Sequence, residues 1–404
     1  MDVAVIGGGA AGFFAAIHAR LNHPAARVVL FEKSGKLLSK VRVSGGGRCN
    51  VTNGCTDVNE LWKAYPRGGR RLKKAFNTFG TIDTRAWFES RGVPLYVQDD
   101  QRVFPVSDNS QSIIDCLLNE ARRLGITIEK QTPVKYIKPD GEKLLLGCGK
   151  PEAVPRTFDR VVVATGGAPT KRGLTWLSAL GHTIASPLPS LFTFNMPKDP
   201  VTRLMGVVAD PATAAIQGTR LSASGPILIT HWGMSGPAIL KLSAFGAREL
   251  AGMDYQFNAQ INWVHEKNQA AVMEHVTAYA MAHPKKMLAN GRLFDLPAAL
   301  WKFLIEKAGI PADRRWGDTG RKLHNRLVNV LTNDVYPVRG KTTFKEEFVT
   351  CGGVSLDSID LATMQSKVCK NLYFAGEVLD IDAITGGYNF QAAWTTGFIA
   401  GKLG

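Results

Sequence analysis

No hydrophobic run in the sequence approaches the ~20 residues of a membrane span, so a helical membrane anchor is not expected. Cysteine is sparse. Cys49, Cys55, Cys116, Cys148, Cys351 and Cys369 are scattered and form no C-x-x-C pair, which supports neither a disulfide framework nor a metal site. Acidic residues are in deficit: 34 against 49 Lys and Arg, a net charge of +15 and a pI near 9.6. That balance points to an anionic partner, or to a basic surface kept for solubility, and charge alone does not say whether the cations cluster. The first strand is expected at residue 2 or 3, leaving no room for a signal or transit peptide, and the expected location is cytoplasmic. The 404 residues, 45% of them hydrophobic, suggest two to three domains.

The chain opens on Val3-Ala4-Val5-Ile6, a short buried strand, followed by Gly7-Gly8-Gly9-Ala10-Ala11-Gly12. Gly7, Gly9 and Gly12 match G-x-G-x-x-G, and Ala15 to Ala19 continue as a helix. A second apolar run, Val28 to Phe31, ends at Glu32, twenty residues after Gly12, with Lys33 beside it. Gly7 permits a tight turn, Gly9 lets backbone approach a pyrophosphate, and Gly12 lets helix and strand pack closely. The phosphates then sit on free N–H groups at the helix N-terminus, with Ala11 among them. Glu32 accepts from a ribose 2′-OH and disfavours a 2′-phosphate there. The motif by itself does not choose between NAD and FAD.

Next comes a Gly- and Lys-rich loop from Lys36 to Asn53. Gly45-Gly46-Gly47 suits positive φ or close passage of a ligand. Lys40, Ser44, Arg48, Asn50 and Thr52 supply donors for phosphate and ribose oxygens. The spacing Cys49-x5-Cys55 does not match the C-x4-C of glutathione-reductase-like redox pairs. The densest basic run, Arg67 to Lys74, is either a phosphate-binding surface or a solvated helix face. Residues 112–124 are apolar at helical spacing, and strands are expected near 126–128 and 134–137. Dinucleotide folds pass the adenine beside such strands, which makes the Val134 backbone a candidate contact. Residues 158–163 form another buried strand, ending in the turn Ala164-Thr165-Gly166-Gly167.

After His182 the texture changes to short β-type runs rich in Pro, Thr and Ser. They include Thr230-His231-Trp232-Gly233, where His231 is a candidate acid or base. Helical patterns follow over 270–282, 298–308 and 320–331, carrying Arg314, Arg315, Arg321, Lys322 and Arg326, a candidate basic docking surface. The closing stretch holds a strand at Leu372-Tyr373-Phe374, then Gly376-Glu377, then Gly386-Gly387-Tyr388-Asn389 opening a helix to Lys402. Its positive end can face a flavin's pyrimidine edge. This C-terminal return favours FAD over a simple NAD domain.

Six segments carry a resemblance over essentially the whole chain: G-G-G-A-A-G at 7–12, S-G-G-G-R-C-N-V-T-N at 44–53, R-V-F-P-V-S at 102–107, T-H-W-G-M-S-G-P-A at 230–238, T-M-Q-S-K at 363–367 and A-G-E-V-L-D-I-D-A-I-T-G-G-Y-N-F-Q at 375–391. The sequence resembles a bacterial family of two-dinucleotide-domain FAD flavoproteins. Its members look like ribosomal-RNA dihydrouridine synthases, steroid-enone reductases and aminoacetone oxidases. The resemblance implies an α/β fold, a Rossmann-like FAD-binding domain (1–185 and 345–404) with an inserted β-rich domain (186–255 and 332–344) and a nested helical insert (256–331). Two departures stand out: Ser39 replaces the Arg that commonly precedes the lysine, and Cys55 is extra.

These observations lead to an FAD-dependent oxidoreductase. Gly7, Gly9, Ala11 and Gly12 are expected on the pyrophosphate, Glu32 and Lys33 at the adenosine ribose, and Lys40, Ser44, Gly45 and Asn50 on the loop side. Val134, Ala164, Thr165 and Gly166 are expected to border the nucleotide, and Gly376, Glu377, Gly387, Tyr388 and Asn389 to hold the ribityl chain and flavin. The expected reaction is reduction of a polarised C=C, in uracil of structured RNA such as rRNA or in a small enone, with NAD(P)H as donor and Cys49, His231 or Tyr388 as proton source. A peroxide-producing amine oxidase and a non-catalytic flavin redox sensor or RNA-binding protein are the alternatives.

Overall fold

The computed structural model describes residues 1–149, 154–342 and 349–404. Its contacts divide the chain into two compact units: Met1–Ser190 with the C-terminal segment 349–404, and Leu191 to residue 342. The expected return to the first domain at residue 345 lies outside the described residues.

The first unit is built on a seven-stranded sheet. Its elements, in chain order, are β1 (Asp2–Ile6), α1 (Ala10–Asn22), β2 (Arg27–Phe31), α2 (Gly69–Thr78), β3 (Thr127–Glu129), β4 (Arg160–Val163), β5 (Ile359–Asp360), β6 (Gln365–Ser366), β7 (Leu372–Phe374) and α3 (Tyr388–Ala400). The spatial order is β5-β6-β7-β4-β1-β2-β3. β7, β4, β1, β2 and β3 run parallel, with Val5 opposite both Val162 and Leu30. β5 and β6 add an antiparallel edge. Parallel strands are covered on both faces, so they read as continuous apolar runs rather than alternating ones. Val3, Ala4, Val5 and Val161 to Val163 are all inaccessible.

α1 and α3 pack closely through glycine. A Cβ on Gly397 would lie 2.8 Å from the Ala11 carbonyl oxygen, and one on Gly401 2.7 Å from that of Ala15. The C-terminal helix is thereby seated along the helix of the N-terminal motif. The expected helix at 112–124 spans Ser110–Arg123 and starts one residue after Asn109, whose side chain accepts from the Gln111 N–H at 2.9 Å.

In the second unit a seven-stranded antiparallel sheet has the spatial order 334–339, 256–262, 208–216, 222–230, 233–235, 193–195, 341–342. The helices Gln269–Ala282, Ala298–Lys307 and Arg321–Thr332 share one hydrophobic core with that sheet: Val276, Trp301, Leu304 and Leu327 pack in the same cluster as Ile261 and Tyr336.

Candidate functional site

The glycines of the first turn do different work. A Cβ on Gly7 would lie 2.3 Å from the Ala164 carbonyl oxygen, and one on Gly12 1.8 Å from that of Gly7. Neither position admits a side chain. A Cβ on Gly9 would meet nothing within 4 Å. Gly9 is the residue before α1, where the first helical N–H groups lack intrahelical acceptors. Space for an anion therefore opens beside Gly9, at the positive end of α1.

Glu32, at the end of β2, is held in place. Its carboxylate accepts from the Gly8 N–H at 2.9 Å and the Ser34 N–H at 2.8 Å, and lone pairs remain for ribose hydroxyls. The Thr132 N–H donates to the Glu32 carbonyl at 2.9 Å, so the chain leading to Val134 passes the end of β2. Val134 is half-buried and starts a strand paired with Lys143–Cys148. Lys33 is exposed.

The loop after β2 turns on Gly45, Gly46 and Gly47, at φ +58°, +68° and +88°, all in the left-handed region. Ser44 donates to the Val41 carbonyl at 3.0 Å and Lys40 to Glu377 at 2.5 Å. Cys49 follows at φ +66°, fully buried, and burial pushes its thiol up to about 12. Cys55 is half-buried, with its thiol raised by burial.

The turn after β4 faces the same place. Ala164 lies against Gly7, Thr165 is exposed, and Gly166 has φ +73°. Gly376, at φ +76°, would bring a Cβ within 2.7 Å of that of Ala11. Its N–H donates to the Thr396 hydroxyl at 2.8 Å. Glu377 accepts from the Thr350 N–H at 3.0 Å as well as from Lys40. Burial alone would raise its carboxyl, but Lys40 and the Thr350 and Gly167 N–H groups more than offset that and hold it below the usual range.

The start of α3 is braced from the loop. With its side-chain amide in the hydrogen-bonded orientation, Asn50 accepts from the Gly387 N–H and donates to the Thr52 carbonyl, both at 2.9 Å. Asn53 donates to the Gly386 carbonyl at 3.0 Å, and Asn389 closes two 3.0 Å bonds with the Ala383 backbone. Tyr65 donates to the Tyr388 carbonyl at 2.7 Å. Tyr388 itself is half-buried, and burial, with Cys55 nearby, pushes its hydroxyl up to about 12.

The expected site residues of the first unit thus gather at the carboxyl ends of β1, β2, β4 and β7. That is where ligands bind in open α/β sheets. The open space beside Gly9, the fixed Glu32 acceptors and the positive ends of α1 and α3 fit a dinucleotide carrying a flavin. His231 belongs to the second unit. It is exposed at the turn between strands 222–230 and 233–235, with its ring centroid 4.3 Å from that of Trp232.

Reading the sequence missed the buried group that fixes the 380–388 turn. Asp382 is inaccessible and takes Arg67 and the Ser190 hydroxyl as partners. Burial pushes its carboxyl up against the pull of Arg67. The signal was present: Asp380 and Asp382 alternate with apolar residues from Leu379 to Ile384, and a carboxylate buried there requires a partner. The basic run also divides. Arg67 is taken by Asp382 and Arg71 by Asp357, while Arg70, Lys73 and Lys74 face solvent.

The sequence profile of the HI0933-like protein Rossmann domain matches residues 1–403. The chain is 26% identical over 408 residues to the 3-dehydro-bile acid delta(4,6)-reductase of Clostridium scindens, covering 99% of this chain and 98% of the relative. It is 28% identical over 408 residues to the ribosomal RNA dihydrouridine synthase of Escherichia coli, covering 98% and 96%. Among solved structures, the 3-ketosteroid delta1-dehydrogenase of Sterolibacterium denitrificans matches with a TM-score of 0.51 at 13% identity, over 99% of this chain and 98% of that one. E. coli quinol fumarate reductase matches with a TM-score of 0.50 at 16% identity, over 99% and 69%. These structural likenesses establish a shared fold.

Proposed function

The chain belongs to the HI0933-like family of Rossmann-fold FAD oxidoreductases, and on that premise we propose that it reduces a carbon–carbon double bond conjugated to a carbonyl, in a uracil of RNA. The observation that carries the reaction is the chemistry shared by the two relatives' names. Dihydrouridine is uridine with two hydrogens added across a double bond conjugated to C4=O. A delta(4,6)-reductase acting on a 3-dehydro bile acid adds hydrogens to double bonds conjugated to a C3 ketone. The net charge of +15 favours the polyanion over the small acid.

Bound FAD supplies hydride-transfer chemistry that side chains lack. The protein's part is to bind, orient and supply the proton. Gly9 and Ala11 receive the pyrophosphate at a turn that Gly7 and Gly12 keep tight, with Glu32 on the adenosine ribose. Lys40, Ser44, Gly45 and Asn50 close the loop side. Gly376, Glu377, Gly387 and Asn389 order the flavin end, where the positive end of α3 favours negative charge.

Hydride delivery to the β-carbon needs a proton at the α-carbon. Tyr388 is the best-supported donor. It lies on the braced turn, is half-exposed, and holds its proton at neutral pH as any tyrosine does, with burial pushing its hydroxyl further up. Cys49 is equally protonated but sealed among protein atoms.

Anaerobic stopped-flow absorbance, mixing the holoprotein with NADH or NADPH and then with unmodified rRNA or a steroid enone, tests the reading. Rapid bleaching by a nicotinamide and recovery on adding rRNA support it. Recovery with the enone alone moves the substrate to a small molecule. Steady peroxide production from an amine without nicotinamide overturns it in favour of an oxidase.

A further inference from the structure

The α2 helix breaks two local rules at once. Its solvent face carries Arg70, Lys73, Lys74 and Asn77 at i, i+3, i+4 and i+7, opposite the buried Gly69, Leu72, Ala75 and Phe76. Like charges at these spacings repel. The first turn has no acidic residue, so cations sit at the positive end of the helix, where the backbone dipole disfavours them. Among the described residues no carboxylate pairs with Arg70, Lys73 or Lys74; only Arg71, off the stripe, is taken, by Asp357 and the Leu356 carbonyl. Sequences that violate local preference without compensation tend to do so where they bind something.

The helix also starts at the candidate flavin site. Gly68, the residue before it, is at φ +78°. A Cβ there would meet Ile381 Cγ1 at 2.8 Å and the Asp380 carbonyl oxygen at 3.3 Å. Arg67, one residue earlier, is the buried partner of Asp382, and Tyr65 bonds the Tyr388 carbonyl. The three unpaired cations therefore begin two residues beyond a segment packed on the flavin-side turn. They extend about 6 Å along the helix axis from Arg70 to Lys74.

We propose that the Arg70–Lys73–Lys74 stripe of α2 grips the phosphate backbone of a structured RNA and so presents its target base at the neighbouring turn that carries Tyr388. The inference rests on the RNA reading of the function given above. A regularly charged strand is the partner that three uncompensated cations in a row fit best, because each phosphate contact releases a condensed counterion. The carbonyl-conjugated base is then recognised by the flavin site and the RNA by the stripe, two surfaces of one unit.

The test compares the FAD-loaded wild type with Arg70→Gln/Lys73→Gln/Lys74→Gln in titrations of an unmodified, in vitro-transcribed rRNA fragment over a salt series. The variant is expected to bind about tenfold or more weakly near physiological salt, with the slope of log affinity against log salt reduced by about 2 to 3. A control, Lys267→Gln/Lys285→Gln/Lys302→Gln, removes three exposed cations from the second unit and is expected to bind as wild type does. Because removing the stripe relieves repulsion, the α2 variant should melt no lower than wild type and keep its flavin spectrum.

Wild-type binding that the α2 changes leave unaltered, or that the control reduces equally, overturns the docking surface while leaving the RNA reading standing. No wild-type binding at any salt overturns both. Binding to anionic phospholipid vesicles but not to RNA, with dependence on the same three residues, overturns the proposal in favour of a membrane surface.

Discussion

Lys40 and Glu377, 337 residues apart in sequence, form an ion pair at 2.5 Å that ties the glycine-rich loop to the turn after β7. Glu377 is also anchored by the Thr350 N–H, so the pair is one-sided: the carboxylate is fixed and the lysine, half-exposed, reaches to it. The loop cannot swing away from the C-terminal turn without separating the charges.

Lys40→Met should weaken FAD binding by about tenfold, because it leaves a half-buried carboxylate without its cation. Glu377→Gln should cost less, since an amide still accepts from Thr350. The double variant should be less impaired than the sum of the two, a coupling of about 1 kcal/mol given the exposure of Lys40. Fluorescence titration of apoprotein with FAD measures all three. Strict additivity would show that the pair does not bear on the cofactor.

Gly9 and Gly12 should separate cleanly. Gly12→Ala drives a Cβ to 1.8 Å from the Gly7 carbonyl oxygen and is expected to destabilise the first unit by about 3 kcal/mol or more. Gly9→Ala projects into open space, at a φ of −95° that alanine adopts freely. It should leave the apoprotein's stability within about 0.5 kcal/mol of wild type while costing tenfold or more in FAD affinity. Denaturant melts of apoprotein and flavin titrations distinguish the two. Normal FAD binding by Gly9→Ala would count against a pyrophosphate there.

Tyr388→Phe removes a hydroxyl without disturbing the backbone carbonyl that Tyr65 holds. Turnover should fall by about 10²–10³ with FAD binding unchanged, the range expected for losing a general acid. The rate of flavin reduction by a nicotinamide should also be unaffected. Unchanged turnover in this variant and a loss in His231→Gln would transfer the role to His231.

His182 is buried in the first unit, between the hydroxyls of Ser358 and Ser366, with its ring 4.8 Å from Phe374. Burial pushes its pKa down from 6.5 to about 4. The unfolded chain therefore binds this proton more readily than the folded one. The stabilising effect is fully present above about pH 6.5 and is lost as pH falls towards 4. By pH 5 the loss is about 2 kcal/mol. His182→Gln, which keeps a hydrogen-bonding side chain but does not titrate, should flatten the decline in melting temperature between pH 7 and pH 5. An equal decline in both proteins would assign the acid sensitivity elsewhere.

The N-terminal half of the site was legible because backbone chemistry dictates residue type there. Only glycine fits at 7 and 12, where a Cβ would strike carbonyl oxygens, and an acid at the end of β2 is the residue type that a nucleotide's ribose calls for. The C-terminal half was legible as a Gly-Gly turn before a helix. What spacing did not reveal was how the pieces are braced: Asn50 on Gly387, Tyr65 on Tyr388, Arg67 on Asp382. Each joins residues more than 300 positions apart, and no local periodicity carries such a pairing.

The basic segment shows the same division. As a run, Arg67 to Lys74 has two readings, a phosphate-binding surface or a solvated helix face, and tertiary contact takes two of its cations out of both. Arg67 is drawn inside because the buried Asp382 must be neutralised, and Arg71 turns to Asp357. Arg70, Lys73 and Lys74 are left on one face by helical periodicity alone.

By itself, then, the sequence determined the parallel strands, the dinucleotide turn and the FAD class, because those rest on local sterics and on runs of apolar residues. Only the tertiary structure decided which cations, among the described residues, are paired with carboxylates and which remain unpaired on the surface. It also decided that the first and last helices meet over one site. Both depend on groups distant along the chain being desolvated together, a cost that is set by the folded neighbourhood and not by any residue's own preference.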